Sequence, residues 1–316
     1  MSSPRRLLAA LAALAALAVL LPPALASCTA APSPTDADGT LRIYATTGYL
    51  ADAVTTIAPA ADVTTMVGPG GDPHTYQPTT RDVEKLRSAD LVFSTGLHLE
   101  AQMESQLASL GDAHRAVAEH LPAQVLLPWD ETDAAGNPLH DPHVWNSPTA
   151  WSLVIDDIAA ALSAHDPAGA ETYRANAAAY RAQIEQSAAR AHDTLAGITA
   201  PRILITGHDA FAYFGQTFDL EVLATDYIST EAALSPTELS ELADYIAEHR
   251  VPVIFRDNQA NPQAITSLQE AVHARGWDVS VSDAELFADS LGPAAPVDTY
   301  LGAFEHNVAA VAKALS

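Results

Sequence analysis

The stretch PAGAETYRANAAAYRAQIEQSAARAHDTLA, residues 167–196, decides how the chain is organised, because no strand signal interrupts it. Apolar side chains recur at helical spacings of three and four residues, at Tyr173, Ala177, Tyr180 and Ile184. A helix of about 30 residues is about 45 Å long, which is enough to run the length of two packed lobes. The spacing therefore predicts one long helix in the middle of the chain.

Strand and helix signals alternate on both sides of this helix. The β-rich apolar runs are Leu41–Thr47, Val63–Val67, Leu91–Thr95, Val125–Leu127, Arg202–Thr206, Glu221–Ala224, Val251–Phe255 and Val279–Val281. Such alternation is typical of a mostly parallel sheet that is covered by helices on both faces. We predict an α/β fold with two lobes, each with a mostly parallel sheet flanked by helices, joined by one long rigid helix.

Local capping signals predict where several helices begin. Residues 235–238, Ser-Pro-Thr-Glu, form a capping box with proline at the first helical position, and the helix is predicted to end near His249. Asn261-Pro262 predicts a second helix that ends near Arg275. Further helices are predicted over Asp82–Ser88 and Pro148–Ser163.

The N-terminus predicts the compartment. Arg5 and Arg6 precede an apolar run, Leu7–Leu21, and the segment ends in Leu25-Ala26-Ser27-Cys28. A basic region, a short apolar region and small residues before a cysteine are typical of a lipoprotein signal peptide. We predict that Cys28, the only cysteine in the chain, is lipidated and anchors the protein at the extracytoplasmic face of a bacterial cell membrane.

These signals divide the chain into five parts. A signal peptide over 1–27 is followed by a flexible tether, 28–39, that is rich in Ala, Pro, Ser and Thr. An N-terminal lobe is predicted over 40–165, a linking helix over 166–197 and a C-terminal lobe over 198–316.

Charge and composition exclude some classes of partner. The chain has 15 basic and 39 acidic side chains, for a formal net charge of −24, which argues against nucleic acid as a ligand. With 48% apolar residues the chain can form substantial cores, and a single cysteine allows no disulfide within it. Acidity by itself identifies no ligand, because it also serves solubility.

Four segments carry candidate metal ligands. Asp-Pro-His occurs twice, ending at His74 in a loop rich in Gly and Pro, and again at His143 before a helix. His208 and Asp289 each follow a predicted strand of the second lobe. The carboxyl ends of parallel strands are where open α/β sheets bind ligands. Asp283 is a nearby carboxylate that is not a candidate ligand.

Most of the twelve histidines have a simpler interpretation. An isolated histidine is more often a hydrogen-bonded or surface residue than a ligand. His98 also follows a strand, and we interpret it as a structural residue that lines the cleft. His140 lies in a flexible stretch near His143, and His306 lies in the C-terminal helix.

Five segments resemble the cluster A-I, or TroA-like, family of zinc- and manganese-binding solute-binding proteins. They are GPGGDPHTYQPTTRDVEKLRSADLVFSTGLHLE (68–100), DPHVW (141–145), TGHDAFAYFGQTFDLEV (206–222), ISTEAALSPTELSEL (228–242) and LFADSLG with DTYLGAFEHN (286–292 and 298–307). The resemblance covers nearly the whole mature chain, in the family's order.

The resemblance implies four metal ligands. His74 and His143 match the family's first two ligands, His208 the third and Asp289 the fourth. Some manganese-selective members have a glutamate at the third position. Three imidazoles and a carboxylate suit Zn²⁺, and Mn²⁺ is accepted if the aspartate binds through both oxygens.

Two segments depart from relatives. Many zinc-specific members have a long loop rich in histidine and acid before the second ligand, whereas here that region is only Asp130–Leu139, with His140 after it. This weakens the case for a zinc-only protein. Residues 257–259, Asp-Asn-Gln, stand where a glutamate-containing form is expected.

The function implied is that of the metal-binding component of an ABC importer, and not that of an enzyme. It is expected to be a monomer that captures Zn²⁺ or Mn²⁺ and delivers it to a membrane permease, whose ATPase is a separate subunit because no phosphate-binding GxxxxGK[ST] loop is present here. An extracellular zinc hydrolase is the alternative, although no HExxH helix is present. A surface adhesin of the same fold is a third interpretation.

Overall fold

The computed structural model describes residues 40–316, except residues 134 and 231. The predicted signal peptide, the lipidation site Cys28 and the tether lie outside the described residues. Within the described part, two sheets of four strands are separated in sequence by a pair of long helices. None of the helices there is both long enough and apolar enough to cross a membrane.

The first lobe is formed by short strands that alternate with helices. Its elements are β1 (Arg42–Ala45), α1 (Gly48–Ile57), β2 (Asp62–Thr65), α2 (Thr80–Ser88), β3 (Leu91–Ser94), α3 (Glu104–Ala108) and β4 (His114–Ala116). A two-stranded antiparallel hairpin, β5 (Pro128–Thr132) and β6 (Pro138–His140), follows.

Two long helices that pack against each other then lead to the second lobe. They are α4 (Pro148–His165) and α5 (Ala170–Leu195), and Ser147 caps α4 by accepting a hydrogen bond from the backbone of Ala150. The second lobe contains β7 (Ile203–Thr206), α6 (Ala212–Phe218), β8 (Glu221–Ala224), α7 (Pro236–His249), β9 (Val253–Ile254), α8 (Pro262–Ala274), β10 (Ser280–Val281) and α9 (Tyr300–Leu315).

The two sheets have the same topology. The first has the order β2-β1-β3-β4 and the second the order β10-β9-β7-β8, and all neighbouring strands in them are parallel. In each lobe the first strand therefore lies between the second and the third. The second strand is added on one side of the first strand and the third strand on the other side. Such topological switch points form crevices at the carboxyl ends of the strands.

The long helix α5 contacts the cores of both lobes. Ala177, Tyr180 and Ile184 are buried in the core of the first lobe, whereas Ala191 and Leu195 are buried in that of the second. Its 26 residues correspond to about 39 Å. The predicted α/β architecture with a long linking helix is confirmed.

The first core is not confined to the first lobe. Tyr213, Phe287, Leu291 and Tyr300 of the second lobe pack in it with first-lobe residues such as Trp151. The lobes therefore share a continuous apolar contact, which places their ligand-bearing loops against each other.

One predicted strand, Val125–Leu127, is wrong. Ala123–Val125 forms a turn of 3₁₀ helix, and Leu126 and Leu127 are partly buried against the first core. The fourth strand of the sheet is instead His114–Ala116, a polar edge segment that has no apolar signature. The apolar residues of Val125–Leu127 pack against a core that contains residues of both lobes. A short apolar run of this kind has the same sequence pattern as a buried strand.

Candidate metal centre

The His74 loop follows β2 and is shaped by Asp72. Asp72 Oδ1 accepts a hydrogen bond from the backbone N–H of His74 at 2.9 Å, which forms an Asx turn. Its Oδ2 accepts from Thr75 Oγ1 at 2.7 Å and, across the cleft, from Thr230 Oγ1 at 2.6 Å. Gly70 has φ of 72°, a left-handed conformation that favours glycine. The loop is thus fixed locally and tied to the other lobe.

His143 is held in the same way by the second Asp-Pro-His trio. Asp141 Oδ1 accepts hydrogen bonds from the His143 backbone N–H at 2.9 Å and from its ring Nδ1 at 2.7 Å. When Nδ1 carries the ring proton and donates it to Asp141, Nε2 keeps a free lone pair for a metal. Tyr213 of the second lobe donates to the Asp141 carbonyl at 2.9 Å.

His208 follows β7 at the start of the second lobe. Asp257 Oδ2 accepts from the backbone N–H groups of Gly207 at 2.8 Å and His208 at 2.9 Å. The ring Nδ1 of His208 lies 3.0 Å from the carbonyl oxygen of Tyr227, so its Nε2 also faces the centre with a free lone pair.

Asp289 lies in the loop after β10. The preceding carbonyl, that of Ala288, accepts from Tyr49 Oη at 3.0 Å and from Trp145 Nε1 at 2.8 Å, both in the first lobe. Both carboxylate oxygens of Asp289 are buried, and neither accepts a hydrogen bond from the residues that the structure describes. A buried carboxylate in that state requires a cation or another compensating charge.

The four predicted residues converge on one point. Their ligand atoms all lie within 4.8 Å of one another, and the side chains of His74, His143, His208 and Asp289 are buried. The Nε2 atom of His143 lies 3.2 Å from those of His74 and His208. Asp289 oxygens lie 3.5, 3.4 and 3.2 Å from the Nε2 atoms of His74, His143 and His208.

These separations match those of a tetrahedral site. With metal–ligand bonds of about 2.0–2.1 Å, neighbouring donor atoms of a tetrahedral zinc ion lie about 3.3–3.4 Å apart. Five separations among the donor atoms are 3.2–3.5 Å, and all four ligand atoms lie within 4.8 Å of one another. The donor set is therefore close to the size that one divalent ion requires.

Electrostatics of the centre favour an anionic aspartate. Burial raises the pKa of Asp289, but the three histidines more than offset this and hold it well below its usual range. Burial lowers the pKa of His74. Burial also lowers the pKa of His208, but the adjacent Asp289 carboxylate outweighs it and raises the value to about 9.

Other residues considered in the sequence lie outside this group. His98 has a left-handed backbone, with φ of 65°, and its Nδ1 lies 2.5 Å from Glu104. His140 Nδ1 lies 3.3 Å from the Leu127 carbonyl oxygen. Asp283 is exposed. In the described part of the chain, only the group of four could hold a metal ion.

Sequence reasoning missed the residues that position the ligands. The sequence motifs assign no role to Asp141, and Asp257 and Asn258 stand out in the sequence only as a departure from the family. The repeated Asp-Pro-His trio was a usable signal, because an aspartate two residues before a histidine can accept its backbone N–H. The roles of Asp257 and Asn258 depend on tertiary contacts that no local pattern records.

A closed cage of three histidines and an aspartate between two α/β lobes defines a metal-capturing binding protein. A family model described as "ZnuA: Zinc-uptake complex component A periplasmic" matches residues 43–314. The chain belongs to this family of metal-binding ABC-importer substrate-binding proteins, which are not enzymes. The predicted class, a metal-binding component of an ABC importer, is confirmed. Membership of this family does not support the alternative of a zinc hydrolase.

Similar proteins cover most of the chain. The manganese-binding lipoprotein MntA of Bacillus subtilis is 34% identical over 92% of this chain and 95% of its own length. The zinc-binding protein TroA of Treponema pallidum is 33% identical over 89% of this chain and 90% of its own. The iron-binding protein YfeA of Yersinia pestis is 31% identical over 89% of this chain and 88% of its own.

A solved structure has the same fold. The periplasmic zinc-binding protein TroA from Treponema pallidum superposes with a TM-score of 0.82 at 32% identity, covering 88% of this chain and all of that one.

Proposed function

We propose that His74, His143, His208 and Asp289 together bind one divalent transition-metal ion, Zn²⁺ or Mn²⁺, as the transported cargo. The observation that carries the proposal is the convergence of four buried ligand atoms within 4.8 Å, with five separations of 3.2–3.5 Å, close to those around a tetrahedral ion. Each lobe supplies two donors, so the ion closes the cleft between lobes that a permease can later separate.

Both metals are chemically acceptable, and we expect Zn²⁺ to bind more tightly at equilibrium. A site of three imidazoles and one carboxylate follows the Irving–Williams order, in which Zn²⁺ exceeds Mn²⁺. Asp289 Oδ1 faces His143 and its Oδ2 faces His74 and His208, so the carboxylate can bind an ion through both oxygens, as Mn²⁺ favours. Similar proteins named for manganese, zinc and iron support a site in which metal supply decides the cargo.

The binding test compares ligand variants with a matched histidine variant. Metal-free wild type, His74→Ala, Asp289→Ala and His120→Ala are titrated with Zn²⁺ and Mn²⁺ by calorimetry. His120 is exposed and does not belong to the group of four, so its variant is expected to bind as wild type does. The two ligand variants are expected to lose high-affinity binding, and wild-type affinity in both of them would contradict the proposal.

We further propose that Cys28 carries a lipid that keeps the protein at the extracytoplasmic membrane face, where a monomer passes metal to a permease and its ATPase subunit. The support is the signal-peptide pattern that ends at Cys28, and similar proteins named as lipoproteins. The division into 28–39 tether, 40–165 lobe, 166–197 linking helix and 198–316 lobe remains a prediction. A Cys28→Ala variant should incorporate no labelled palmitate and should leave the membrane fraction.

A further inference from the structure

A three-residue segment after β9 contacts three of the four ligand-bearing loops. It consists of Asp257, Asn258 and Gln259, which we call the 257–259 turn. The sequence of the 257–259 turn does not identify it as part of a metal site. None of its side chains belongs to the group of four. Each of its side chains forms hydrogen bonds to a different ligand loop.

Asp257 positions His208. Its Oδ2 accepts from the backbone N–H groups of Gly207 and His208, at 2.8 and 2.9 Å, and its Oδ1 accepts from the backbone of Gln259 at 3.0 Å. The approach is too close for a side chain at Gly207, since a Cβ there would lie 2.2 Å from Ala260 Cβ and 2.9 Å from Asp257 Oδ2. The turn therefore lies directly beneath the loop that presents His208.

Asn258 positions Asp289 from both sides. Its Oδ1 accepts from the backbone N–H of Ala288 at 2.8 Å, and its Nδ2 donates to the carbonyl oxygen and to Oγ of Ser290, each at 2.7 Å. The residues before and after the ligand aspartate are thus held by one amide. Because the backbone of Asp289 is fixed on both sides, its carboxylate has little freedom to move away from the three imidazoles.

Gln259 connects the turn to the other lobe. Its Nε2 donates to the carbonyl oxygen of Gly71, three residues before His74, at 2.9 Å. The backbone of neighbouring Gly70 donates to Ser290 Oγ at 3.0 Å, the same oxygen that accepts from Asn258. These contacts are only partly buried and cross the cleft, so they must break when the lobes separate.

We propose that the 257–259 turn sets both the geometry and the release of the bound metal. Asp257 and Asn258 are positioning residues that fix the two donors of the second lobe at tetrahedral separations, and Gln259 fastens the His74 loop across the cleft. Zn²⁺ benefits most from rigid, short separations, whereas Mn²⁺ accepts longer bonds and more donors. Loosening of the turn is therefore expected to lower the ratio of the Zn²⁺ affinity to the Mn²⁺ affinity. This inference rests on the proposed ligand set.

The geometry test uses Co²⁺ as an optical probe, because the intensity of its visible absorption reports tetrahedral coordination. Asp257→Asn replaces one of the two acceptor oxygens by an NH2 group, so that a donor faces either Gln259 N–H or the N–H groups of Gly207 and His208. Asn258→Ala removes three hydrogen bonds. Both variants are expected to alter the Co²⁺ spectrum and to weaken Zn²⁺ binding about 10–100-fold, as loss of a ligand-orienting group does. Their Mn²⁺ affinity is expected to fall by a smaller factor, so the ratio of the two affinities decreases.

A matched control separates positioning from general stability. Asp52 is a partly buried carboxylate that accepts from Tyr180 Oη at 2.6 Å and from the backbone of Tyr300 at 3.2 Å, and it does not belong to the group of four. Asp52→Asn is expected to lower the melting temperature while leaving the Co²⁺ spectrum unchanged. The positioning role is overturned if Asp257→Asn and Asn258→Ala keep the wild-type spectrum and affinity ratio, or if Asp52→Asn alters them equally.

The release test uses Gln259→Ala, a partly exposed position where folding is not at risk. Metal dissociation into excess chelator, followed by stopped flow, should become about three- to tenfold faster, which is what one hydrogen bond contributes. Its Co²⁺ spectrum should stay as in wild type. An unchanged dissociation rate overturns the fastening role.

Asp289→Ala in the same Co²⁺ assay tests the ligand set itself. A wild-type Co²⁺ spectrum in this variant contradicts the proposed function. If the variant loses that spectrum, the ligand set stands, and the variants of residues 257–259 then test the role of the turn alone.

Discussion

Asp141 Oδ1 accepts two hydrogen bonds from the same residue, His143, one from its backbone N–H and one from its ring Nδ1. One carboxylate oxygen therefore sets both the backbone conformation and the tautomer of a proposed ligand. In the other Asp-Pro-His trio, Asp72 accepts the backbone N–H of His74 in the same way, but its second oxygen reaches Thr230 across the cleft. The same tripeptide thus has two roles, one within a lobe and one between lobes.

The first prediction concerns Asp141→Asn. Loss of the charged acceptor should release the His143 ring and weaken Zn²⁺ binding about 10–100-fold, measured by competition with a chromophoric chelator. Asp133→Asn is a matched control, because Asp133 Oδ1 also accepts a backbone N–H two residues on, from Ala135, in an exposed hairpin. Equal affinities for wild type and Asp141→Asn would show that the ring is oriented without this carboxylate.

The second prediction concerns the two donors to the Ala288 carbonyl. Tyr49→Phe or Trp145→Phe removes one donor, and each is expected to lower the free energy of unfolding by about 0.5–1.5 kcal/mol for the hydrogen bond, with an added packing loss for the tryptophan. The double variant leaves a buried carbonyl without either donor. A double-mutant cycle should therefore give a coupling of about 0.5 kcal/mol or more, measured by urea unfolding of the metal-free protein. Strict additivity would contradict this account.

The third prediction is that the contribution of Asp90 to the free energy of unfolding depends on pH. Burial raises the pKa of Asp90, but hydrogen bonds from the Arg42 backbone and guanidinium, at 2.8 and 2.9 Å, lower it below 3.8. Because the folded pKa is the lower one, the stabilisation is complete above pH 3.8 and is lost as the pH falls through the folded value. Asp90→Asn should lower the free energy of unfolding by about 1–3 kcal/mol at pH 7.

That difference between wild type and Asp90→Asn should shrink below pH 3.8, because the unfolded wild-type chain binds a proton at Asp90 there before the folded protein does. Denaturant unfolding of the metal-free protein at neutral and acid pH measures both values. A difference that stays constant across this range would assign the effect to packing rather than to the charge.

The fourth prediction concerns removal of the metal. Because an ion that binds only the folded state stabilises it, free Zn²⁺ at one hundred times its dissociation constant should add about 2.7 kcal/mol to the free energy of unfolding. Treatment with a chelator should lower the melting temperature of wild type, and added Zn²⁺ should restore it. Asp289→Ala should show neither response, and a full Zn²⁺-dependent shift in that variant would contradict its role as a ligand.

Local patterns were sufficient for several elements of the fold. The capping box at Ser235 opens α7 as predicted, and β8 has the predicted bounds, Glu221–Ala224. The long helix begins at Ala170 rather than at Pro167, because Asp166 first forms a turn in which its Oδ1 accepts from Ala168. These features depend on contacts within a few residues of sequence, which is why the chain alone indicates them.

The polar strand β4 and the misassigned run Val125–Leu127 show where local patterns fail. His114–Ala116 becomes a strand only because β3 offers it an unpaired edge. Leu127 lies at the boundary between lobes, where its backbone N–H donates to Tyr213 Oη. Its apolar side chain therefore serves packing between the lobes and not a strand. In both cases the deciding partner is distant in sequence.

By itself the sequence determined the α/β class, the long helix and, through its resemblance to a family, the four residues to examine. Only the tertiary structure decided that their donor atoms lie within 4.8 Å of one another and that the 257–259 turn supports two of them. Backbone propensities and apolar periodicity act over a few residues and therefore leave a readable pattern. The distance between atoms more than 200 residues apart depends on how whole lobes pack, and no local pattern encodes it.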